Sequence, residues 1–500
     1  MVNLSAFLRF HATRTPQAPA LIYEGRHISY AEMWERVQSA AAWLAGQGVG
    51  PDTVVAVFMK NSPAFLELAF ATSHLGAIFL PINYRLSEEE VGYILGHAEA
   101  ALLLADAEFR PLLARTPRVH FVDEAAQADI RTFAGDAGPT PELYARKPGD
   151  LFRLMYTSGT TDRPKGVMHT YDNFYWKSAD HVLTLGITAA DRLLCVGPLY
   201  HVGAFDLPGV AVLWMGGAIA ILREFDARAV LETIEKERLT CGWMAPVMLG
   251  RTLGCEGRER YDVSSFRWCI GGGERTPEGR IRAFTELFRN GRYIDGYGLT
   301  ETCSGDTLME AGMEIAKIGS TGRALAHCEI RICDEMGNPL PPRAEGEICI
   351  RGPKVTHGYW RDPTKTANSF HGDWFRSGDV GYLDEDGFLF LTDRIKDMII
   401  SGGENIASSE VERVLYQMPQ IADAAVIGAA DERWGEIPVA VVVLHPGQDL
   451  DLAAVQAFCR EHLAGFKVPK RLELREALPR NPSGKILKRT LRQELTQPSR

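Results

Sequence analysis

A chain of 500 residues is longer than one compact core accommodates, so two or more domains are expected. Its 46% hydrophobic and 24% charged residues, free of low-complexity tracts, exclude a disordered or fibrous protein. The net charge of −10 disfavours nonspecific attachment to nucleic acid or anionic membrane, so any phosphate site must be local.

The opening MVNLSAFLRFHATRTPQAPA contains neither a signal-peptide pattern nor a membrane-spanning run. Ser29 and Glu32 form a capping-box pattern before Met33, Val37, Ala40, Ala41 and Leu44, predicting an amphipathic helix. VVAVF (54–58), AIFLPI (77–82) and ALLLAD (101–106) then predict buried strands of an α/β sheet. The apolar stretch from Gly209 to Leu222 is too short to span a bilayer and is expected in the core. From about Glu329, EIRIC and GEICIRG flank EMGNPLPP, and GYLD and GFLFL flank a turn at 385–387, so a β-rich subdomain is expected. After Asp393, a helix carrying Val411, Val414, Leu415 and Met418, the strands AAVIG and PVAVVVL, and a helix near 452–463 predict a small α+β unit. The nine scattered cysteines include no CxxC pair, which argues against zinc or a disulfide framework and fits a reducing, cytoplasmic setting.

Three segments carry the chemistry. In YTSGTTDRPKG (156–166), an apolar lead-in gives way to hydroxyls, glycines and Lys165, residue types that wrap phosphate with NH, OH and ammonium donors. The order is not that of a Walker loop, and a surface turn explains such a loop equally well on its own. WCIGGGE (268–274) predicts a strand entering a glycine turn that a planar base can approach closely. PLYHVGAF (198–205) ends a strand in aromatic residues and His201.

These segments, with YGLTE (297–301), GEICIRGP (346–353), WFRSGD (374–379), DRIKDMIISGGENI (393–406) and NPSGK (481–485), resemble the acyl-adenylate-forming superfamily: acyl-CoA synthetases, peptide-synthetase adenylation domains and luciferases. The resemblance implies a large N-terminal domain, 1–394, of two α/β subdomains plus a β-rich subdomain, and a small mobile α+β C-terminal domain, 395–500, hinged near Lys396. It implies ATP, Mg2+ and coenzyme A as co-substrates and a carboxylic acid that is first adenylated and then passed to CoA. On the phosphate loop it selects Thr157, Ser158, Gly159, Thr160, Thr161 and Lys165. Thr300 is expected to contact the α-phosphate and Glu301 to hold magnesium, which offsets charge developing on oxygen. Gly272, Gly273 and Glu274 are expected to sandwich adenine with Tyr297, beside Asp295. Asp379 should bind the ribose hydroxyls, and Arg394 ribose or phosphate. Lys485 is the adenylation lysine, while Ser401, Gly402 and Gly403 should face the pantetheine tunnel after rotation about Lys396. Arg433 and Lys467 are weaker candidates for the anionic end of CoA and equally suit solvated surface charges.

His201 is expected beside the carboxylate, with Gly203, Phe205, Trp243, Met244 and Ser304 lining a mainly apolar pocket. Trp243 shortens that pocket if it points inward and leaves room for a long chain if it packs outward. Two positions depart from the family pattern: Asp162 replaces a usual glycine, and Glu274–Arg275 stand where small residues and proline are common. The implied activity is an acid–CoA ligase for a hydrophobic monocarboxylate, fatty acids first and aryl acids such as ferulate or coumarate second. The alternatives are an adenylation enzyme that loads a carrier protein, a degenerate adenylate-binding regulator, and an oxygenase of the luciferase kind. Neither nucleic acid nor an integral membrane segment is expected as a partner, and a homodimer is left open.

Overall fold

A computed structural model describes residues 3–157, 164–272, 276, 278–394, 397–401, 404–431, 433–480 and 486–496, with the backbone alone for Asp393, Arg394, Glu404, Asn405 and Thr496. The first 330 or so residues build two largely parallel sheets. One has six strands, in the order Val119–Val122, Leu102–Asp106, Val54–Phe58, Ile78–Pro81, Leu151–Thr157 and Lys165–Thr170, the last antiparallel. The other has nine, with Arg292–Tyr297, Trp268–Gly272, Cys241–Trp243, Arg192–Cys195 and Ala218–Ile221 running parallel through its centre.

The alternation of strand side chains explains how the layers stack. Val55 and Val57 face a central cluster, while Val54, Ala56 and Phe58 face an outer one; likewise Leu193 and Cys195 face inward, and Leu194 and Val196 outward. Both sheets are therefore covered on two faces, which is why their strands read as continuous apolar runs. The helices Leu4–Arg14, Tyr30–Gly46 and Pro63–His74 contribute to the central cluster between the sheets.

The expected helix after Ser29 runs Tyr30–Gly46, with the Ser29 side chain accepting from Glu32 N–H. The Glu32 carboxylate does not return to Ser29 but pairs with Arg26, Arg36 and Arg131. A reciprocal capping box occurs instead at Ser87 and Glu90. Gly209–Leu222 divides into a buried helix, Val210–Trp214, and a buried strand, Ala218–Ile221. Among the described residues no helix is long and apolar enough to cross a membrane.

The β-rich unit pairs Glu329–Cys333 with Gly346–Arg351 and continues through Trp374–Leu383 to Leu389–Arg394. A further five-stranded sheet is built around Ile421–Asp431 and Gly435–Leu444, with helices Ser408–Leu415, Leu452–His462 and Lys488–Thr496. Its apolar clusters start at Ile399 and share no member with those of the preceding 394 residues.

Candidate functional site

The antiparallel strands Leu151–Thr157 and Lys165–Thr170 pair Thr157 with Lys165 at the mouth of the phosphate loop. Ser158, Gly159, Thr160, Thr161 and Asp162 lie outside the described residues. Burial, then the neighbouring Lys365 ammonium, depresses the pKa of Lys165, while Asp362 and Glu301 act in the opposite sense. The Glu301 charge is thus within electrostatic reach of Lys165.

The strand Arg292–Tyr297 carries Asp295 and Tyr297 to the sheet's end, and Gly272 stands opposite Gly296 in register, beside Tyr297. Asp295 is buried, its Oδ1 accepting from Gly296 N–H. The Tyr297 hydroxyl donates to Asp379 Oδ2 at 2.9 Å, joining the expected adenine platform to the expected ribose acceptor. Burial, then Asp379, pushes the phenol pKa well up, so Tyr297 is a proton donor at neutral pH. Arg394 pairs with Asp379 through the backbone. Gly273, Glu274 and Arg275 lie outside the described residues.

Past Tyr297 the chain folds back tightly. Thr300–Thr302 is one 3-10 turn, followed by left-handed backbone at Cys303, Ser304 and Gly305. A Cβ at Gly298 would strike the Gly305 amide, so this turn requires glycine. Thr300 and Glu301 emerge half-buried at its head. Glu301 is held twice: its carbonyl accepts from Thr356 N–H at 2.7 Å, and Oε1 accepts from the Tyr359 hydroxyl at 2.8 Å. Among the described residues no three acidic, histidine or cysteine side chains cluster as a metal cage. A lone carboxylate with one oxygen already oriented fits Mg2+ carried largely by phosphates and water.

Beneath the turn lies a charged network that sequence reasoning missed. Arg153 Nη2 lies 2.8 Å from Asp206 Oδ2 and 2.9 Å from His169 Nδ1, and His169 Nε2 donates to the Thr300 carbonyl at 2.6 Å. Lys177 and His181 also bind Asp206. On the far side Lys354 pairs with Asp306 at 3.0 Å, which in turn accepts from Thr302. All these side chains are buried. Burial, then Arg153, lowers the His169 pKa to about 3, fixing the neutral ring that donates from Nε2. The available signal was an arginine inside the apolar strand LFRLMY.

His201 caps the short helix Val202–Phe205, with Nδ1 accepting from Gly203 N–H at 3.1 Å. Trp243 points toward this helix: a Cβ at Gly203 would come within 2.6 Å of its Cζ2, and one at Gly197 would also overlap the indole. Two expected pocket residues are placed otherwise. Met244, directly after the strand Cys241–Trp243 and still bonded through its N–H to Ile270, packs on the opposite side of the sheet beside Thr252, as alternation along extended backbone dictates. Phe205 is 1% exposed, stacked on Phe79 with Arg153 over its ring, and is core rather than lining. Ser304 is buried in the turn.

In the C-terminal unit Ser401 is buried and pairs with Glu404 and Gly435. Lys467 is engaged by Glu410 at 2.6 Å, and Arg433 lies over the exposed Trp434 ring. Lys396, Gly402, Gly403 and Lys485 lie outside the described residues.

Residues 8–360 match the family model for AMP-binding enzymes, and residues 410–485 that for the AMP-binding enzyme C-terminal domain. The chain is 37% identical over 484 residues to a feruloyl-CoA synthase from Amycolatopsis, covering 96% of each. It is 35% identical to a long-chain fatty-acid–CoA ligase from Mycobacterium tuberculosis, covering 99% of each. The solved o-succinylbenzoate CoA synthetase of Bacillus subtilis, in complex with its acyl-adenylate intermediate, superposes with a TM-score of 0.88 at 32% identity, covering 99% of this chain and 98% of that one. The chain therefore belongs to the AMP-binding enzyme family, as an AMP-forming acid–CoA ligase that uses ATP, Mg2+ and coenzyme A.

Proposed function

We propose that this ligase activates a compact hydrophobic monocarboxylate, with aryl and arylacrylic acids of the cinnamate type ahead of long-chain fatty acids. The observation that carries this reading is Trp243, whose indole fills the slot left by Gly197 and Gly203 beside His201. A ring there shortens the space behind the carboxylate and offers an aromatic face to a planar acyl group. This reverses the order of the two acid classes expected from sequence. The relative named for ferulate leans the same way, and the one named for long-chain fatty acids marks the competing reading.

In the proposed reaction the carboxylate oxygen attacks the α-phosphorus of ATP and the bond to the β-phosphate breaks. Thr300, Lys165 and Lys485 stabilise the charge, and Asp379 and Tyr297 hold the nucleoside. The C-terminal unit from 395 onward then turns about Lys396, bringing the 401–403 segment to the thioester-forming side. CoA sulfur attacks the acyl carbonyl, its proton is lost, and AMP leaves. The nine free cysteines fit a cytoplasmic setting.

The test is kcat/KM for cinnamic, ferulic, benzoic, octanoic and palmitic acids in the native enzyme and in Trp243→Gly. The expected result is an aryl preference that moves toward longer chains by roughly tenfold or more in the variant. A native preference for palmitate, unchanged in Trp243→Gly, would contradict the reading.

A further inference from the structure

Between the β-rich unit and the phosphate loop runs a segment, 356–366, that the sequence motifs did not single out. It is stitched to the site at several points. Thr356 N–H donates to the Glu301 carbonyl, the Thr356 hydroxyl donates to the Met168 carbonyl, and Trp360 N–H donates to the Gly166 carbonyl at 2.7 Å. Tyr359 forms a bridge with Val167 and donates its hydroxyl to Glu301. One turn further, Asp362 caps the helix Pro363–Asn368 by accepting from Lys365 N–H. The Lys365 Nζ lies 5.9 Å from the centre of the Tyr359 ring.

That geometry sets the Lys365 segment against Gly166 and Val167, the residues directly after Lys165, and sets the Lys365 ammonium beside the ring of the Tyr359–Glu301 pair; the Lys365 charge is also one of the causes that lower the Lys165 pKa. Among the described residues no carboxylate stands within ion-pair distance of Lys365. Asp362, the acid nearest in sequence, spends Oδ1 on the backbone amide. Two neighbouring ammonium charges repel, and the arrangement is favourable when a polyanion binds both.

We propose that Lys365 is a second phosphate-binding lysine, which grips the β,γ-diphosphate of ATP opposite Lys165 and stabilises pyrophosphate as it leaves. When the α–β bond breaks, the electron pair stays on the β-phosphate oxygen, and a fixed cation is worth most where that charge develops. The Tyr359 ring lies beneath the lysine ammonium, and its hydroxyl bonds to Glu301. The role is independent of which acid the enzyme takes.

The two half-reactions separate this role from a structural one, because acyl adenylate and AMP carry no β- or γ-phosphate. In Lys365→Met, which keeps most of the side chain's length without its charge, KM for ATP and KM for pyrophosphate in the reverse reaction should each rise roughly 10- to 100-fold, the loss of one charge-assisted hydrogen bond. CoA transfer from supplied acyl adenylate should stay within about twofold, as for a surface change. Lys365→Arg should recover most of the pyrophosphate affinity. Unchanged KM for pyrophosphate in Lys365→Met, or an equal loss in both half-reactions with the melting temperature intact, would overturn the proposal.

Discussion

His169 donates from Nε2 to the carbonyl of Thr300 at 2.6 Å while accepting from Arg153 at Nδ1, so the turn that presents Thr300 and Glu301 rests on a ring whose tautomer a buried arginine sets. Arg153 in turn pairs with Asp206, directly after the helix His201 caps. The expected acid-binding and phosphate-binding parts thus share one buried charge cluster, built from segments far apart in the chain.

That cluster predicts an asymmetry between two substitutions. Arg153→Met leaves Asp206 still paired with Lys177 at 3.3 Å, whereas Asp206→Asn leaves Arg153 and Lys177 both without a countercharge. Breaking a buried pair costs about 3–5 kcal/mol, so Arg153→Met should fall near the lower end and Asp206→Asn at or beyond the upper. Urea denaturation followed by tryptophan fluorescence checks the order; equal small losses would mean the network is solvated.

The same histidines predict acid sensitivity. His169 is held at about 3 and His181 well below its ordinary value, both chiefly by burial, whereas an unfolded histidine titrates near 6.5. Below about pH 6.5 the unfolded chain takes up protons that the folded one refuses, so their stabilising contribution is present above that pH and lost as pH falls toward 3. The slope is about 1.4 kcal/mol per pH unit for each proton. His169→Gln should reduce the slope of stability against pH between 6.5 and 5 by about that amount; an unaltered slope would contradict the assignment.

At the nucleoside end, Tyr297→Phe keeps the ring but removes the donor to Asp379. Loss of one neutral-to-charged hydrogen bond corresponds to about 1.5–3 kcal/mol at most, so AMP affinity measured by calorimetry should fall by no more than roughly 10- to 100-fold. Asp379→Asn should fall further, because it strips the expected ribose acceptor. KM for the acid, extrapolated to saturating ATP, should not move in either.

Gly203→Ala places a methyl group against the Trp243 indole. Overpacking of this kind costs about 1–3 kcal/mol, and the stability should return in Gly203→Ala combined with Trp243→Phe. Thermal denaturation of the single and double variants checks it; additive losses would mean that the two positions do not touch.

From the resemblance, Lys485→Ala should depress adenylation far more than CoA transfer from supplied acyl adenylate, and Lys396→Pro should chiefly impair transfer. Stopped-flow assays of each half-reaction distinguish them; equal losses in both, with folding intact, would contradict alternation about Lys396.

Much of the fold was legible because doubly covered strands leave unbroken apolar runs, as at 54–58 and 102–106. The adenylate motifs were legible because each is contiguous: Tyr297, Thr300 and Glu301 lie on one strand and its turn. What escaped were relations between distant segments. Arg153 and Asp206 lie 53 residues apart, and Tyr359 reaches Glu301 across 58. The direction of Met244 escaped for a different reason: two adjacent residues of extended backbone cannot line one pocket, and only the observed packing fixes Trp243 on the side of Gly203 and Met244 on the other.

The most direct measurement uses the best acid of the panel with its carboxylate oxygens labelled with oxygen-18, followed by mass spectrometry of the products after CoA thioester formation. Attack on the α-phosphorus transfers one carboxylate oxygen to the nucleotide, so the account predicts AMP carrying a single labelled oxygen and pyrophosphate carrying none. Label in pyrophosphate or phosphate, or unlabelled AMP beside the thioester, would contradict an acyl-adenylate path.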